Sequence, residues 1–293
     1  MSTVYWRQGR DNHMSIEAGP ASPEGERAAG APAVVAAVSA PVGDPVLRTE
    51  SLTLSFGPRA ILTDINVEIQ RGAITALIGP TGSGKTTLLR TFNRMNDKVT
   101  TYGHKGDVLL DGRSIWHSGV DMMALRRKVG MLFQRPNPFP MSIMDNVVAG
   151  AKAHRMASKT GLREIAEQRL TEVGLWSAVS DRLKDSPFRL SGGQQQLLCL
   201  ARALAIKPDV LLLDEPTSSL DPGATESIEA LITTLTPQIT VVIVTHNLAQ
   251  ARRIADQTIF LNAGRLVETG ATEQLFEHPA QDETARYVNG RFG

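Results

Sequence analysis

The stretch Ala73-Ile74-Thr75-Ala76-Leu77-Ile78-Gly79-Pro80-Thr81-Gly82-Ser83-Gly84-Lys85-Thr86-Thr87-Leu88-Leu89-Arg90 decides how the chain is read. Its first six residues are nearly all apolar, as in a strand buried on both faces of a parallel sheet. Gly79 to Thr86 then fits the pattern G-x-x-x-x-G-K-[ST]. Glycines there let backbone N–H groups close around phosphate oxygens where side chains would obstruct. Thr87-Leu88-Leu89-Arg90 continues as a helix, and its N-terminal end adds a positive partial charge. Lys85 is expected to reach the β- and γ-phosphates of a nucleotide, and Thr86 Oγ to ligate Mg²⁺. A glycine-rich turn with a coincidental lysine is the bland alternative. The apolar strand before it and the helix after it supply the context that alternative lacks.

Two later runs resemble that strand: Val210-Leu211-Leu212-Leu213 and Thr240-Val241-Val242-Ile243-Val244. Each leads into polar residues at its C-terminal end, where open α/β sheets bind ligands. The first delivers Asp214-Glu215-Pro216. An acid at the end of a buried strand suits a Mg²⁺ ligand beside a phosphate loop, so Asp214 takes that role. Glu215 is placed to polarise the attacking water as general base. Two idle, solvated acids would be the better reading only if the phosphate loop were absent.

Upstream, Leu47 to Phe56 alternates apolar and polar residues, a strand pattern ended by the turn Gly57-Pro58. Ile65-Asn66-Val67-Glu68-Ile69 alternates again. A helix-rich middle is expected from about Ser142 to Leu183, with Leu162 to Leu170 amphipathic. Residues 1–45 differ from the rest. Ala18 to Pro45 is dominated by Ala, Pro, Gly and Val, which favours a disordered N-terminal extension. A cleaved leader is the other option, but Ala28 to Ala40 lies far from Met1, contains Pro32 and follows Glu24 and Glu26.

Composition sets the outer bounds. The chain has 293 residues, 42% of them hydrophobic, enough for a sizeable core. Lys plus Arg is 31 against 30 for Asp plus Glu, a net charge of +1, which argues against a general nucleic-acid binder. No apolar run approaches the ~18–20 residues needed to span a bilayer. The single cysteine, Cys199, cannot form an internal disulfide, and a reducing compartment is the simplest reading.

Leu190-Ser191-Gly192-Gly193-Gln194 narrows the class. Alone it could be an ordinary helix cap with Ser191 capping. Together with the phosphate loop and the Asp-Glu strand it resembles the signature of the ATP-binding cassette (ABC) ATPases. That resemblance implies a P-loop α/β fold: a RecA-like parallel-sheet core, an antiparallel β subdomain, and a helical signature subdomain at about 140–205, all within 46–293. It implies ATP and Mg²⁺ as cofactors and a head-to-tail dimer. In such a dimer Ser191, Gly192, Gly193 and Gln194 of one chain face the Gly79–Thr87 loop of the other. Gln134 then corresponds to the Q-loop glutamine, near Mg²⁺ or water, Ser219-Leu220-Asp221 to the interface-crossing D-loop, and His246 to the switch histidine at the γ-phosphate. Phe56 matches the position that stacks on adenine, where the family more often has Tyr; an ordinary core phenylalanine is its alternative.

Asn93-Arg94-Met95-Asn96-Asp97, Phe133-Gln134-Arg135-Pro136-Asn137-Pro138-Phe139-Pro140, Gln194-Gln195-Gln196 and the final Gly290-Arg291-Phe292-Gly293 are similar to the ATPase subunit of bacterial phosphate-specific importers. Leu197 departs from that branch, which commonly has Arg there. The resemblance implies permease subunits and a periplasmic or extracellular solute-binding protein as partners, a peripheral place on the cytoplasmic side of the membrane, a homodimer on ATP binding, and no nucleic acid. An ATPase for another solute importer is one competing reading. A soluble cassette acting on nucleic acid or the ribosome is the other, and it usually carries paired cassettes or long coiled-coil insertions.

Overall fold

The computed structural model describes residues 44–218 and 220–291. The expected extension, apart from Asp44 and Pro45, lies outside the described residues, as do Ser219, Phe292 and Gly293. In chain order the elements are β1 (Pro45–Phe56), β2 (Arg59–Ile65), β3 (Glu68–Gln70), β4 (Ile74–Ile78), α1 (Lys85–Thr91), β5 (Tyr102–Leu110), β6 (Arg113–Ser114), α2 (Met122–Lys128) and β7 (Val129–Leu132). There follow α3 (Ile143–Ala153), α4 (Lys159–Glu172), α5 (Trp176–Val179), α6 (Gly192–Leu204), β8 (Val210–Asp214), α7 (Pro222–Leu235), β9 (Thr240–Val244), α8 (Leu248–Ile254), β10 (Gln257–Asn262), β11 (Arg265–Ala271), α9 (Thr272–Glu277) and α10 (Asp282–Val288).

Two sheets result. One has the order β11-β10-β4-β9-β8-β7, parallel from β10 to β7 and closed at one edge by antiparallel β11. The other is antiparallel, in the order β2-β1-β5-β6, with β3 also paired to β1. Every residue of β4, β8 and β9 is buried, as their unbroken apolar runs require. Their side chains alternate between two cores. Ile74, Ala76, Ile78, Leu211, Leu213, Val241 and Ile243 join the core that includes α3, α4 and α6. Leu77, Leu212, Val242 and Val244 join the other, with Leu88, Leu89 and Phe92 of α1 and the antiparallel sheet. Helix α1 is thus held between the sheets, directly after β4.

The alternating segment Ile65 to Ile69 is not one strand. It breaks at Asn66-Val67, between β2 and β3. Asp64 has φ 50°, and the Asn66 side chain accepts from Ser51 N (2.7 Å) and donates to Asp64, so local side-chain bonds replace the ladder. The amphipathic run Leu162 to Leu170 lies inside α4, which Ser158 caps. Serine, aspartate or asparagine side chains also cap α2, α3, α6, α7 and α8. No helix among the described residues is long and apolar enough to cross a membrane.

Candidate active site

Sheet topology brings the ends of β4, β9 and β8 together, because the three are neighbours running in the same direction. The loop Gly79–Gly84 leaves β4 and enters α1. Gly79 has φ 144°, and a Cβ there would lie 2.0 Å from the Leu261 carbonyl oxygen. Gly84 has φ 101°, and a Cβ there would lie 2.4 Å from Leu62 Cδ2. Neither position admits a side chain, so the backbone itself forms the cradle. Lys85 is buried and its ammonium donates to the carbonyls of Gly79 (2.7 Å) and Pro80 (2.8 Å). Burial pushes its pKa below the ordinary lysine value, against the pull of the Glu215 and Asp214 charges. Ser83 Oγ is buried in the same loop without a hydrogen-bond partner. Thr81 and Gly82 are exposed, and Pro80 and Thr87 are half-buried.

Asp214, at the end of β8, is buried. Thr86 Oγ1 donates to its Oδ1 (2.8 Å) and the Arg90 guanidinium to its Oδ2 (3.1 Å). The next residue, Glu215, has φ 47°, left-handed backbone that a non-glycine residue rarely adopts. Gln134, two residues past β7, donates Nε2 to Glu215 Oε2 (2.7 Å), and His246 Nδ1 lies 3.3 Å from that same oxygen. Two residues expected from separate motifs thus converge on the carboxylate of a third. Their separations in sequence are 81 and 31 residues.

The signature segment lies at the start of α6. Ser191 Oγ accepts from Gln194 N (3.3 Å) and Gln194 Oε1 accepts from Ser191 N (3.1 Å), a reciprocal capping box. Ser191 and Gly192 are exposed, and Gly193 is half-buried. Asp221 caps α7 by accepting from Ala224 N (3.0 Å). Among the described residues, no hydrogen bond joins these to the Lys85 loop. Phe56 ends β1 half-buried, its ring centroid 5.8 Å from that of Tyr102 at 47°. The row continues through Tyr102 and His104 to Trp116, with the last two rings stacked at 3.8 Å. Burial pushes the Tyr102 hydroxyl up to about 12 and the His104 imidazole down.

Sequence reasoning missed two supports of the loop. Arg90 lies four residues after Thr86 on α1, so helical periodicity alone puts both on the face that meets Asp214. Tyr287 of α10 stacks on Phe260 (4.8 Å, 13°), and its hydroxyl hydrogen-bonds the Gly79 backbone. Nothing local marks Tyr287, because it comes from the far end of the chain. Leu197, in the unusual position, is half-buried and packs on the helical core.

A lysine in a glycine-rich strand-to-helix turn, facing two carboxylates on a neighbouring part of the same parallel sheet, defines a P-loop nucleotide-binding domain. The family model described as ABC transporter matches residues 62–218. "Phosphate import ATP-binding protein PstB" of Mycobacterium intracellulare is 63% identical over 254 residues, 86% of this chain and 89% of that one. "Phosphate import ATP-binding protein PstB 2" of Mycobacterium tuberculosis (strain CDC 1551 / Oshkosh) is 61% identical over 85% of this chain and 90% of its own. Among solved structures, cbiO1 from Clostridium perfringens, part of the ABC transporter complex cbiONQ, superposes with a TM-score of 0.69. It is 30% identical, over 85% of this chain and 96% of that one. The chain belongs to the ABC transporter ATPases and, within them, to the PstB family. It is therefore an ATP-binding, ATP-hydrolysing protein.

Proposed function

We propose that the chain is the ATPase subunit that drives import of inorganic phosphate, working on the cytoplasmic side of the cell membrane against permease subunits that carry the solute. The observation that carries this reading is 61–63% identity, over most of both chains, to proteins named for phosphate import. The convergence of Gln134 and His246 on Glu215 supports the hydrolytic part. A periplasmic or extracellular solute-binding protein delivers phosphate to the permeases. Residues 46–293 form the ATPase unit, with 140–205 as its signature-bearing helical part and 1–45 as an extension.

Loop amides and Lys85 hold the β- and γ-phosphates, and Phe56 stacks on the adenine. Glu215 accepts a proton from the water that attacks the γ-phosphorus, and the bond to the bridging oxygen breaks as ADP leaves. His246 donates toward the γ-phosphate charge. Thr86 Oγ, the Asp214 carboxylate and the Gln134 side-chain oxygen are hard oxygen donors that suit Mg²⁺, which would neutralise phosphate charge there. Ser191, Gly192, Gly193 and Gln194 of a second copy close over the nucleotide, with Asp221 at the interface.

The test is reconstitution of the chain with its permease subunits and binding protein in lipid vesicles. Labelled phosphate should accumulate only with ATP on the side of this chain, and Glu215→Gln should abolish accumulation. Uptake of another solute in place of phosphate, or uptake that ignores Glu215, would overturn the reading.

A further inference from the structure

Two buried glutamines grip the chain immediately after Glu215. Gln196, in the middle of α6, is 2% exposed. Its Nε2 donates to the carbonyl oxygens of Phe133 (3.1 Å) and Pro216 (3.4 Å). Gln250, on α8, is fully buried. Its Nε2 donates to Thr217 Oγ1 (2.9 Å) and Glu229 Oε1 (3.1 Å). Each amide engages both of its hydrogens, while its own oxygen has no hydrogen-bond partner. Glu229 is in turn held by Arg253 through Nε (3.1 Å) and a terminal nitrogen (2.8 Å). A charged acceptor fixes which end of the Gln250 amide faces it, because a reversed amide would set oxygen against oxygen.

The placement is particular. Glu215 sits in left-handed backbone, a conformation that persists only where the surroundings hold it. Pro216 is held from the helix that begins after Ser191, and Thr217 from the helix that begins after His246. Gln196 also fixes Phe133, the neighbour of Gln134. Every group gathered at Glu215 Oε2 therefore has an adjoining residue or helix tied to one of these two amides. A merely cohesive pair of core glutamines would have no reason to converge on the neighbours of a single carboxylate.

We propose that Gln196 and Gln250 are positioning residues for hydrolysis, a bracket that sets Glu215 against Gln134 and His246 from the signature helix on one side and the switch helix on the other. The inference rests on the reading of Glu215 as general base. Displacement of a catalytic group by about 1 Å can cost 10²-fold in rate. Gln196→Leu and Gln250→Leu keep much of the side-chain volume and remove the donors, so each should lower kcat by roughly 10–100-fold. The affinity for a fluorescent ATP analogue should be unchanged, because the Lys85 loop is untouched.

A charge exchange separates positioning from general damage. Gln250→Glu sets two carboxylates together and should be worse than Gln250→Leu. Adding Glu229→Gln should restore turnover, since the new amide donates to the new carboxylate, the Thr217 hydroxyl can do the same, and the half-exposed Arg253, three residues along α8, can turn from position 229 to pair with that carboxylate. Three outcomes would overturn the proposal: leucine variants with the wild-type kcat, parallel loss of kcat and nucleotide affinity, or no recovery in the double exchange. Glu215→Gln is measured alongside. If it hydrolyses at the wild-type rate, the base assignment falls and takes the bracket with it. If it is inactive while both leucine variants are unimpaired, only the bracket falls.

Discussion

Among the described residues, the helices α1 and α6 both begin at glycine-rich turns, and these are built in opposite ways. At the start of α1, Lys85 is buried, Ser83 Oγ is left without a partner, and Thr86 and Arg90 engage Asp214. At the start of α6, Ser191 and Gly192 are exposed, and the helix satisfies its own donors through the Ser191–Gln194 box. The first end is tied by hydrogen bonds to the carboxylate at the end of β8 in the same chain. The second is a self-capped helix end that, among the described residues, makes no hydrogen bond to the first. Its shape is set locally, so it can be presented to a second copy's nucleotide without rearrangement. On the proposed function, the contrast separates what a single chain would do, hold ATP and poise Glu215, from what would require two.

Substitutions at the α1 end should break the single-chain half. The largest effect is expected from Glu215→Gln, which keeps the shape and removes the proton acceptor. ATP turnover should fall by about 10²–10⁴-fold, with nucleotide binding retained. Lys85→Ala should weaken binding of an ATP analogue by about 10²-fold in equilibrium titration, the scale of a hydrogen bond to a charged group. Unchanged hydrolysis in that variant would show that the loop does not hold the nucleotide phosphates.

Phe56→Ala should raise the KM for ATP by roughly tenfold with kcat nearly unchanged, the scale of one base–aromatic stack. Equal KM values would return Phe56 to the role of a partner for Tyr102 alone. The smallest effect concerns the interior of α6. Cys199 is 2% exposed and burial pushes its thiol pKa up, so the reactive thiolate is scarce. A thiol reagent should modify the native chain far more slowly than the unfolded one, and the gap should persist as pH rises toward 9.

The parts of this architecture that were legible in the sequence are those whose signal is local. The buried strands β4, β8 and β9 were readable from unbroken apolar runs. The Lys85 loop, Asp214, Glu215 and the Ser191 cap were readable from short motifs placed at strand or helix ends. Other features depend on contacts between distant segments. Asn66 ends β2 through bonds to Ser51 and Asp64, which period-two alternation conceals. Gln196 meets Phe133 and Pro216, 63 and 20 residues away, and reads in the sequence as one more glutamine in Gln194-Gln195-Gln196. Tyr287 supports Gly79 from the opposite end of the chain. The left-handed backbone at Glu215 is likewise invisible in a residue type that gives no cue for it.

In the proposed dimer the exposed α6 end completes a nucleotide site held at the α1 end of a second copy. Size-exclusion chromatography with light scattering, on the Glu215→Gln protein with and without saturating ATP, decides the point. Slowed hydrolysis and reduced repulsion of the γ-phosphate should hold the closed state long enough to be seen. The expected result is a dimer that requires ATP and that disappears when Ser191→Arg is added, with ATP still bound by each monomer. A dimer that persists with Ser191→Arg, or that forms equally without ATP, would contradict it.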